Sequence, residues 1–491
     1  MTSSSGRDAI PLSFNQSTHL VLEWLARLRR RTLPPTRPLV LASYFDGPLN
    51  LAALERALND VVRRHEVLRT AFPDVGRLTT SQEATVVERL RQGDLSAGWL
   101  FTQKLVPAAS LSLRVESLPA DGTGVETDRL RERLRGEILE RFDYSKPPLM
   151  RATLFTLEAG RHLLLVSLHH LVADFWSLGI LSSEIERLYN RQVAPQEVAD
   201  LAGLSLQFGD FALAQRRQFS GDLPAEAAAY WTKQWSAYGK ARLKPVDLSI
   251  GNPTASGPAE PRWDSVSFTP AQAERLRAAA RTHRVTMYML CAATIAIVFH
   301  AYTRATSVAW WGYCANRTTA DIEGLIGWFA QGRVLGVTLA SDDSVATVLA
   351  QVRRMVRDMA EYQDVPLQLL WRTLPSKDMV EEALQDEFIA FNIIPQWRSA
   401  TALADGVVMS PVPGDLTVIE SSRALKLWAH EAHGSLAAFG ASYSTAWCEP
   451  SKVVGLLEDI RTVLLRIADD PHTSVAELAS HTRVLQPPRA C

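Results

Sequence analysis

Cysteine is scarce in this sequence of 491 residues. The four cysteines, Cys291, Cys314, Cys448 and Cys491, lie far apart and form no closely spaced pair. Neither a disulfide framework nor a zinc site is expected from this spacing, which fits a reducing compartment. We therefore expect a cytoplasmic protein.

An excess of charge of either sign is also missing. The sequence has 52 lysines and arginines against 53 aspartates and glutamates, for a formal net charge of −1. A polyanionic partner such as nucleic acid is not expected for a chain with this balance. Hydrophobic residues make up 47% and charged residues 21%, which is typical of a folded globular protein.

A long apolar segment is the third absence. The first seven residues contain no apolar run of the signal-peptide type. The most membrane-like stretch, residues 287–302, contains His300 and is shorter than the roughly 20 residues that a membrane-spanning helix needs. We expect a buried core helix at this position and no membrane partner.

What the sequence does contain is an alternation of helix and strand patterns in both halves. Asn50, Thr269, Thr286 and Ser344 stand in N-cap positions. Helices are predicted over 51–67, 177–191 and 451–467, and one more helix is predicted to start after each of Thr269, Thr286 and Ser344. Strands are predicted over 149–155, 162–168, 308–313, 388–394 and 435–443. Mixed elements in both halves predict two α/β lobes, with residues 1–191 in the first, a linker at 192–203, and residues 204–491 in the second.

Two adjacent histidines, His169 and His170, follow the predicted strand at 162–168, and Asp174 lies four positions later. Neighbouring residues on a strand point to opposite faces, so one histidine should face a site and the other should hold the turn. An imidazole that titrates near neutrality can take a proton from an attacking amine or hydroxyl. A buried aspartate needs a partner, most simply an arginine, and no glutamate or cysteine at ligand spacing supports a metal.

The pattern His-x-x-x-Asp is not specific alone, but six motifs in order resemble the condensation domains of nonribosomal peptide synthetases. That family shares the pattern His-His-x-x-x-Asp with chloramphenicol acetyltransferase and the carnitine acyltransferases. The six motifs lie at residues 11–16, 64–72, 167–177, 208–212, 326–329 and 363–367.

The sequence departs from the family pattern at three places. The Arg-Leu-Trp that should follow the opening motif is absent, and residues 330–332 read Ala-Gln-Gly where the family has Val-Asn-Thr. The glycine expected directly after the motif aspartate is replaced by Phe175, which Trp176 follows. Phe-Trp-Ser at this position resembles condensation domains that take their donor from a polyketide or fatty-acyl carrier.

The resemblance implies an α/β fold of two chloramphenicol-acetyltransferase-like lobes, which form a V-shaped pseudo-dimer around a central tunnel. It also implies a condensation enzyme that joins an acyl thioester on a carrier protein to an amine or hydroxyl in natural-product biosynthesis. The expected partners are acyl or peptidyl carrier proteins and a small-molecule or carrier-bound acceptor. No cofactor is expected on the enzyme itself, because the substrate arrives on the phosphopantetheine arm of its carrier.

The resemblance assigns roles to eight residues. His170 is expected to be catalytic, and Asp174 to be a structural anion paired with Arg317. The other expected roles are support of the active site by His169 and Ser177 and contact with the tunnel or the donor by Phe175, Trp176 and Trp328. The motif at 64–72, Asp210 and Asp364 are expected to support the fold.

Two other functions stay open at this point. A coenzyme A acyltransferase of the same superfamily would use a nucleotide thioester as donor. A recruitment domain would bind a partner without catalysis, although such domains commonly alter the active-site motif that is intact here. With no adenylation or carrier domain apparent, we expect a free-standing enzyme, while an excised domain of a synthetase would have the same appearance.

Overall fold

A computed structural model describes most of the chain. It covers residues 10–28, 38–72, 102–118, 126–158, 160–196, 198–221, 223–251, 260–370, 388–394, 400–412, 424–432, 434–470 and 472–483, with isolated positions between 79 and 88.

The described strands form three β-sheets. They are β1 (Ile10–Pro11), β2 (Leu39–Asp46), β3 (Thr70–Ala71), β4 (Thr102–Leu105), β5 (Leu113–Ser117), β6 (Met150–Glu158), β7 (Arg161–Leu168), β8 (Pro261–Ser267), β9 (Ser307–Cys314), β10 (Gln331–Thr338), β11 (Ile389–Ile394), β12 (Thr401–Ala402), β13 (Val408–Pro411), β14 (Leu425–Ala432) and β15 (Ser435–Ser444).

Each half of the chain supplies most of one six-stranded sheet. The first sheet has the order β12-β13-β2-β7-β6-β5, in which only β5 and β6 pair in parallel. The second has the order β10-β9-β11-β14-β15-β8, in which β11 runs parallel to both of its neighbours. A small sheet of order β1-β4-β3 is antiparallel.

Helices surround these sheets, which confirms the predicted mixed α/β class. They are α1 (Phe14–Leu28), α2 (Leu51–Arg64), α3 (Glu126–Leu139), α4 (Phe175–Val193), α5 (Phe208–Gln218), α6 (Ala225–Tyr238), α7 (Pro270–Thr282), α8 (Met287–Thr303), α9 (Ala320–Glu323), α10 (Val345–Glu361), α11 (Leu367–Leu370), α12 (Pro450–Asp469) and α13 (Val475–Ser480).

The predicted N-caps are confirmed. The side chain of Asn50 accepts a hydrogen bond from the Ala53 amide at 3.0 Å, which satisfies one of the free donors at the start of α2. Thr269, Thr286 and Ser344 cap α7, α8 and α10 in the same way.

Two predicted helix boundaries differ from the structure. The helix predicted over 51–67 ends at Arg64, because His65 is extended and Glu66–Arg69 turns into a short 3-10 helix. The helix predicted from residue 177 begins two residues earlier at Phe175, because Asp174 is its N-cap. Asp174, a preferred N-cap residue with Ser177 three positions later, is thus both a motif residue and the cap of α4.

The core is divided into separate hydrophobic clusters. The first lies among β2, β6, β7, α2 and α4, and the second is built around α8, in which every residue from Leu290 to Ala301 is buried. The predicted core helix at this position is therefore confirmed. In the described residues no single helix is long and apolar enough to cross a membrane. The helices α7 and α8 reach that length and apolar composition only together, and they are bent by 97° relative to each other.

The two sheets are not divided strictly at the predicted linker. Residues 401–411, from the second half, form β12 and β13 and extend the first sheet, where Met409 pairs with Phe45 of β2. The start of the predicted linker belongs to the end of α4, and its Gln192 accepts a hydrogen bond from Arg56 at 2.8 Å. The division into residues 1–191 and 204–491 stays a prediction.

Tyr189 fixes this crossing segment to the first half. Its hydroxyl accepts a hydrogen bond from the Asn50 amide at 3.0 Å and donates one to Asp405, in the turn between β12 and β13.

Tyr189→Phe removes both bonds and should lower the free energy of unfolding by about 1–2 kcal/mol. Urea unfolding measures this loss. Tyr238→Phe, which retains the ring packed over Gly336, should stay within about 0.5 kcal/mol of the native protein; an equal loss in both variants would contradict this role.

Candidate active site

The histidine pair lies where β7 ends. His169 is buried, its Nδ1 accepts a hydrogen bond from the Leu171 amide at 3.1 Å, and its own amide donates to the Leu149 carbonyl at 3.0 Å. The Leu171 carbonyl in turn accepts a hydrogen bond from Gln16 at 2.8 Å. His169 thus holds the turn that presents His170.

His170 is partly exposed, and its ring centre lies 5.1 Å from the ring centre of Trp328. Burial of the imidazole lowers its pKa to about 4; the neighbouring His19 and Lys426 lower the pKa further, while Asp174 and the Ala173 backbone oppose them. His170 is consequently neutral near pH 7 and able to accept a proton. Its Nδ1 is buried and makes no hydrogen bond with the part of the chain that the structure describes.

Asp174 is the centre of a buried hydrogen-bond network. Oδ1 accepts hydrogen bonds from the amide and the hydroxyl of Ser177 at 2.9 and 2.7 Å, and from Arg317 at 3.2 Å. Oδ2 accepts two more, from the amides of Phe329 at 3.0 Å and Ala330 at 3.1 Å. Five donors thus surround one carboxylate that is 1% exposed.

Arg317 supplies the opposite charge and is 2% exposed. Besides its bond to Asp174, its Nη1 donates to the carbonyls of Ile322 at 2.6 Å and Leu325 at 2.7 Å. The guanidinium lies 4.2 Å from the ring centre of Phe329, within cation–π range. Burial lowers the pKa of Arg317, and the charge of Asp174 opposes that effect.

Ser177 joins the start of α4 to the second half of the chain. Its Oγ accepts hydrogen bonds from the Asp174 amide at 3.3 Å and the Gly327 amide at 3.1 Å. Gly327 is required here because a Cβ would lie 2.1 Å from the ring of Phe208. The Ile-Gly-x-Phe motif therefore serves close packing against the site.

The remaining aromatic residues occupy two sides of the site. Phe175 stacks on Trp428 of β14 with ring centres 5.8 Å apart, so this pair links the two halves. Trp176 is 42% exposed, donates to the Glu323 carbonyl at 3.2 Å and lies over Arg317. Trp176 thus points partly to solvent, while Trp328 is the aromatic residue beside His170.

The motif at 64–72 contacts the site from behind. His65 pairs with Glu184 of α4 at 2.9 Å, and its other ring nitrogen accepts a hydrogen bond from the Ile326 amide at 3.3 Å. Arg64 binds the same glutamate at 2.8 Å. These contacts connect α2, α4 and residue 326, so Arg64 and His65 support the structure around the site.

Two residues of α1, Asn15 and His19, also reach the site, although no role in it was predicted for either. Asn15 donates to the carbonyls of Trp328 at 3.3 Å and Ala330 at 3.0 Å. His19 lies between the rings of Trp328 and His169, at 5.7 and 5.8 Å. The available signal for Asn15 was its place in the opening motif at 11–16, whereas His19 lies outside every motif. The described residues contain no group of three or more histidine, cysteine, aspartate or glutamate side chains placed to hold a metal ion.

Comparison with known proteins now identifies the family. Residues 98–484 match the family described as Condensation domain. This chain belongs to the condensation domain family. The predicted resemblance to nonribosomal peptide synthetase condensation domains is thereby confirmed.

The isonitrile lipopeptide synthase of Mycobacterium tuberculosis is 29% identical to this condensation domain over 486 residues, which are 96% of this chain and 18% of that protein. The chain thus spans less than a fifth of the length of this curated relative.

Solved structures share the fold. The first condensation domain of the calcium-dependent antibiotic synthetase, in complex with a substrate analogue, is 20% identical with a TM-score of 0.70, covering 96% of this chain and 99% of that one. The X-domain from teicoplanin biosynthesis is 23% identical with a TM-score of 0.71, and the match covers 97% of this chain and 98% of that one. The structure of the X-domain in complex with OxyB is 21% identical with a TM-score of 0.70, and the match covers 99% of this chain and 98% of that one. The condensation domain described here therefore has the two-lobed chloramphenicol-acetyltransferase-like fold that was predicted.

The Asp174 network should be essential for stability. Asp174→Asn keeps the shape but leaves Arg317 without its counter-charge, and breaking a buried pair typically costs about 3–5 kcal/mol. Thermal and urea unfolding should show a loss of this order. The control is Asp321→Asn, an exposed carboxylate that accepts a hydrogen bond from Ser205, which should change stability by less than about 0.5 kcal/mol. Equal stability of the two variants would contradict the role given to Asp174.

The charge state of His170 can be measured directly. Because burial depresses its pKa to about 4, the ring should stay neutral as the pH falls from 8 to 5 and should protonate only below that range. An ordinary histidine would be half protonated near pH 6.5. NMR of ¹³Cε1-labelled histidine, with the His170 signal assigned through His170→Ala, checks this. A midpoint of 6 or higher would show that the ring is less desolvated than the geometry indicates.

Proposed function

We propose that this chain catalyses condensation between an acyl thioester on a carrier protein and an amine or hydroxyl acceptor, with His170 as the catalytic base. The observation that carries the proposal is a histidine residue that is partly exposed, neutral near pH 7, and on a turn fixed by the intact Asp174 network. Membership of the condensation domain family supports the same reaction class.

The chemistry needs one proton to be moved. The acceptor nitrogen or oxygen attacks the thioester carbonyl, and His170 takes the proton that this nucleophile loses as the new bond forms. Collapse of the tetrahedral intermediate breaks the carbon–sulfur bond, and the proton passes to the departing phosphopantetheine thiolate. General base catalysis of this kind contributes roughly 100- to 10,000-fold to the rate.

Phe175 bears on the choice of donor. In the usual family pattern a glycine leaves room after the motif aspartate, whereas here the Phe175 ring fills that place and stacks on Trp428. An apolar surface suits an acyl chain, because burying each methylene of such a chain against it is favourable by about 0.8 kcal/mol. We therefore favour a polyketide or fatty-acyl carrier as the source of the donor, delivered through a tunnel between the lobes.

A recruitment domain is the alternative that one similarity favours. An X-domain resembles this chain in fold, and its structure has been solved in complex with OxyB. Against that alternative, His169, His170 and Asp174 are all retained and the residue His170 is not fully buried. Coenzyme A thioesters as donors remain the third possibility, which the assay below separates from carrier thioesters.

The assay compares donors and variants. Acyl carrier proteins from the same gene neighbourhood, loaded with an octanoyl group, and octanoyl-coenzyme A are each supplied with a panel of amines and alcohols. We expect transfer from the carrier, and His170→Ala should lower turnover by about 100-fold or more while the protein stays folded. Mass spectrometry of the product and loss of the acyl group from the carrier measure it.

His162→Ala is the matched control. His162 lies on strand β7, eight residues before His170, and is also partly buried. Its ring contacts the Thr156 hydroxyl at 3.2 Å. Its removal should leave turnover within about threefold of native, since eight residues of extended chain span roughly 26 Å. Transfer only from coenzyme A would reassign the donor, and turnover unaffected by His170→Ala would contradict the proposed mechanism.

A further inference from the structure

The structure places His19 beside the catalytic histidine, although no motif includes it. It lies on α1, and its ring stands edge-on to Trp328 at 5.7 Å and to His169 at 5.8 Å between ring centres. Trp328 is in turn the ring beside His170, at 5.1 Å. His19 thus belongs to one continuous cluster of rings that ends at the catalytic imidazole.

The contacts of α1 with Trp328 involve both its backbone and its side chain. Asn15 binds the Trp328 carbonyl at 3.3 Å, and His19, four residues later, contacts the indole ring. Residues at this spacing lie on the same face of a helix, so one face of α1 fixes this tryptophan in two ways. The Asn15 contact fixes the backbone that carries Trp328, and the His19 contact restrains the indole ring itself.

His19 is itself held in place. Its Nε2 lies 3.9 Å from the carboxylate of Glu23, one helical turn later. Glu23 accepts a hydrogen bond from the Tyr144 hydroxyl at 2.9 Å, and the Tyr144 ring packs 4.7 Å from that of His169. Because burial lowers the pKa of His19 to about 4, the ring is uncharged near pH 7.

We propose that His19 is a positioning residue that fixes the Trp328 indole against the His170 imidazole and so sets the orientation of the catalytic ring. The structural part of this proposal stands on ring geometry alone. Its kinetic consequence rests on the proposed function, because only a reacting His170 makes the orientation matter for the rate.

An NMR experiment tests the structural part without any substrate. The indole shifts the His170 ring signal by its ring current, and Trp328→Leu defines the signal when this effect is absent. In His19→Ala the His170 signal should move toward its position in Trp328→Leu. In the double variant His19→Ala/Trp328→Leu the signal should lie close to its position in Trp328→Leu alone. A His170 signal that does not move in His19→Ala would overturn the proposal.

Kinetics with the acyl carrier donor tests the consequence. Displacement of a catalytic group by about 1 Å can cost up to 100-fold, so a partial loss of restraint in His19→Ala should lower kcat about tenfold with KM changed less than threefold. His19→Phe, which keeps a flat ring in the same place, should recover most of kcat. If His19→Phe is as slow as His19→Ala, an imidazole nitrogen is needed and positioning by packing is wrong.

A double-mutant cycle and one control complete the test. The effect of His19→Ala on kcat should disappear in the Trp328→Leu background, since coupled residues are not additive; fully additive effects would refute the coupling. Leu22→Ala, on the same helix and partly buried, should lower the melting temperature without the change in kcat. Absence of turnover in the native protein would refute the proposed function, while the NMR result would still decide the role of His19.

Discussion

The constraint on which the site depends is the burial of two opposite charges, those of Asp174 and Arg317. Removing each charge from water costs several kcal/mol, and this cost is offset only when the remaining hydrogen-bonding positions are filled. Five donors reach the carboxylate and backbone carbonyls receive the guanidinium, and they come from both halves of the chain. Few alternative arrangements satisfy so many donors and acceptors, so the pair fixes the first turn of α4 against residues 327–330. The turn carrying His170 immediately precedes that helix and is positioned with it.

The burial that this network requires also sets the chemistry available to His170. An imidazole with a pKa of about 4 is always ready to accept a proton near pH 7, but it is a weak base. An attacking amine loses basicity as its nitrogen bonds to the carbonyl carbon, and its proton becomes far more acidic. Transfer to His170 is therefore favourable only once bond formation is well advanced. In the proposed reaction the base would act late, in the transition state, where a contribution to rate is made.

Sequence patterns predicted those parts of the fold that local chemistry determines. The caps at Asn50 and Thr286 and the buried helix α8 are as expected, and Arg317 lies 3.2 Å from Asp174, as the family resemblance implied. The contact of Asn15 with Trp328 joins residues 313 positions apart, and no local pattern encodes such a contact. The pairing of β13 with β2 and the stack of Phe175 on Trp428 were missed for the same reason. Each joins a residue of the first half of the chain to one of the second half.

The stack of Phe175 on Trp428 shows why such a contact matters for selectivity. In the family pattern a glycine leaves the space beside the motif aspartate open. Here the space is filled by Phe175 from the first half, which is held by Trp428 from the second. A small shift of β14 relative to the start of α4 would change this contact before it disturbed the Asp174 network, because a stacked pair is worth only about 0.5–1.5 kcal/mol beyond its burial. Under the proposed function, the fit of the acyl donor is therefore adjustable by changes at the contact between α4 and β14, while the position of His170 stays fixed.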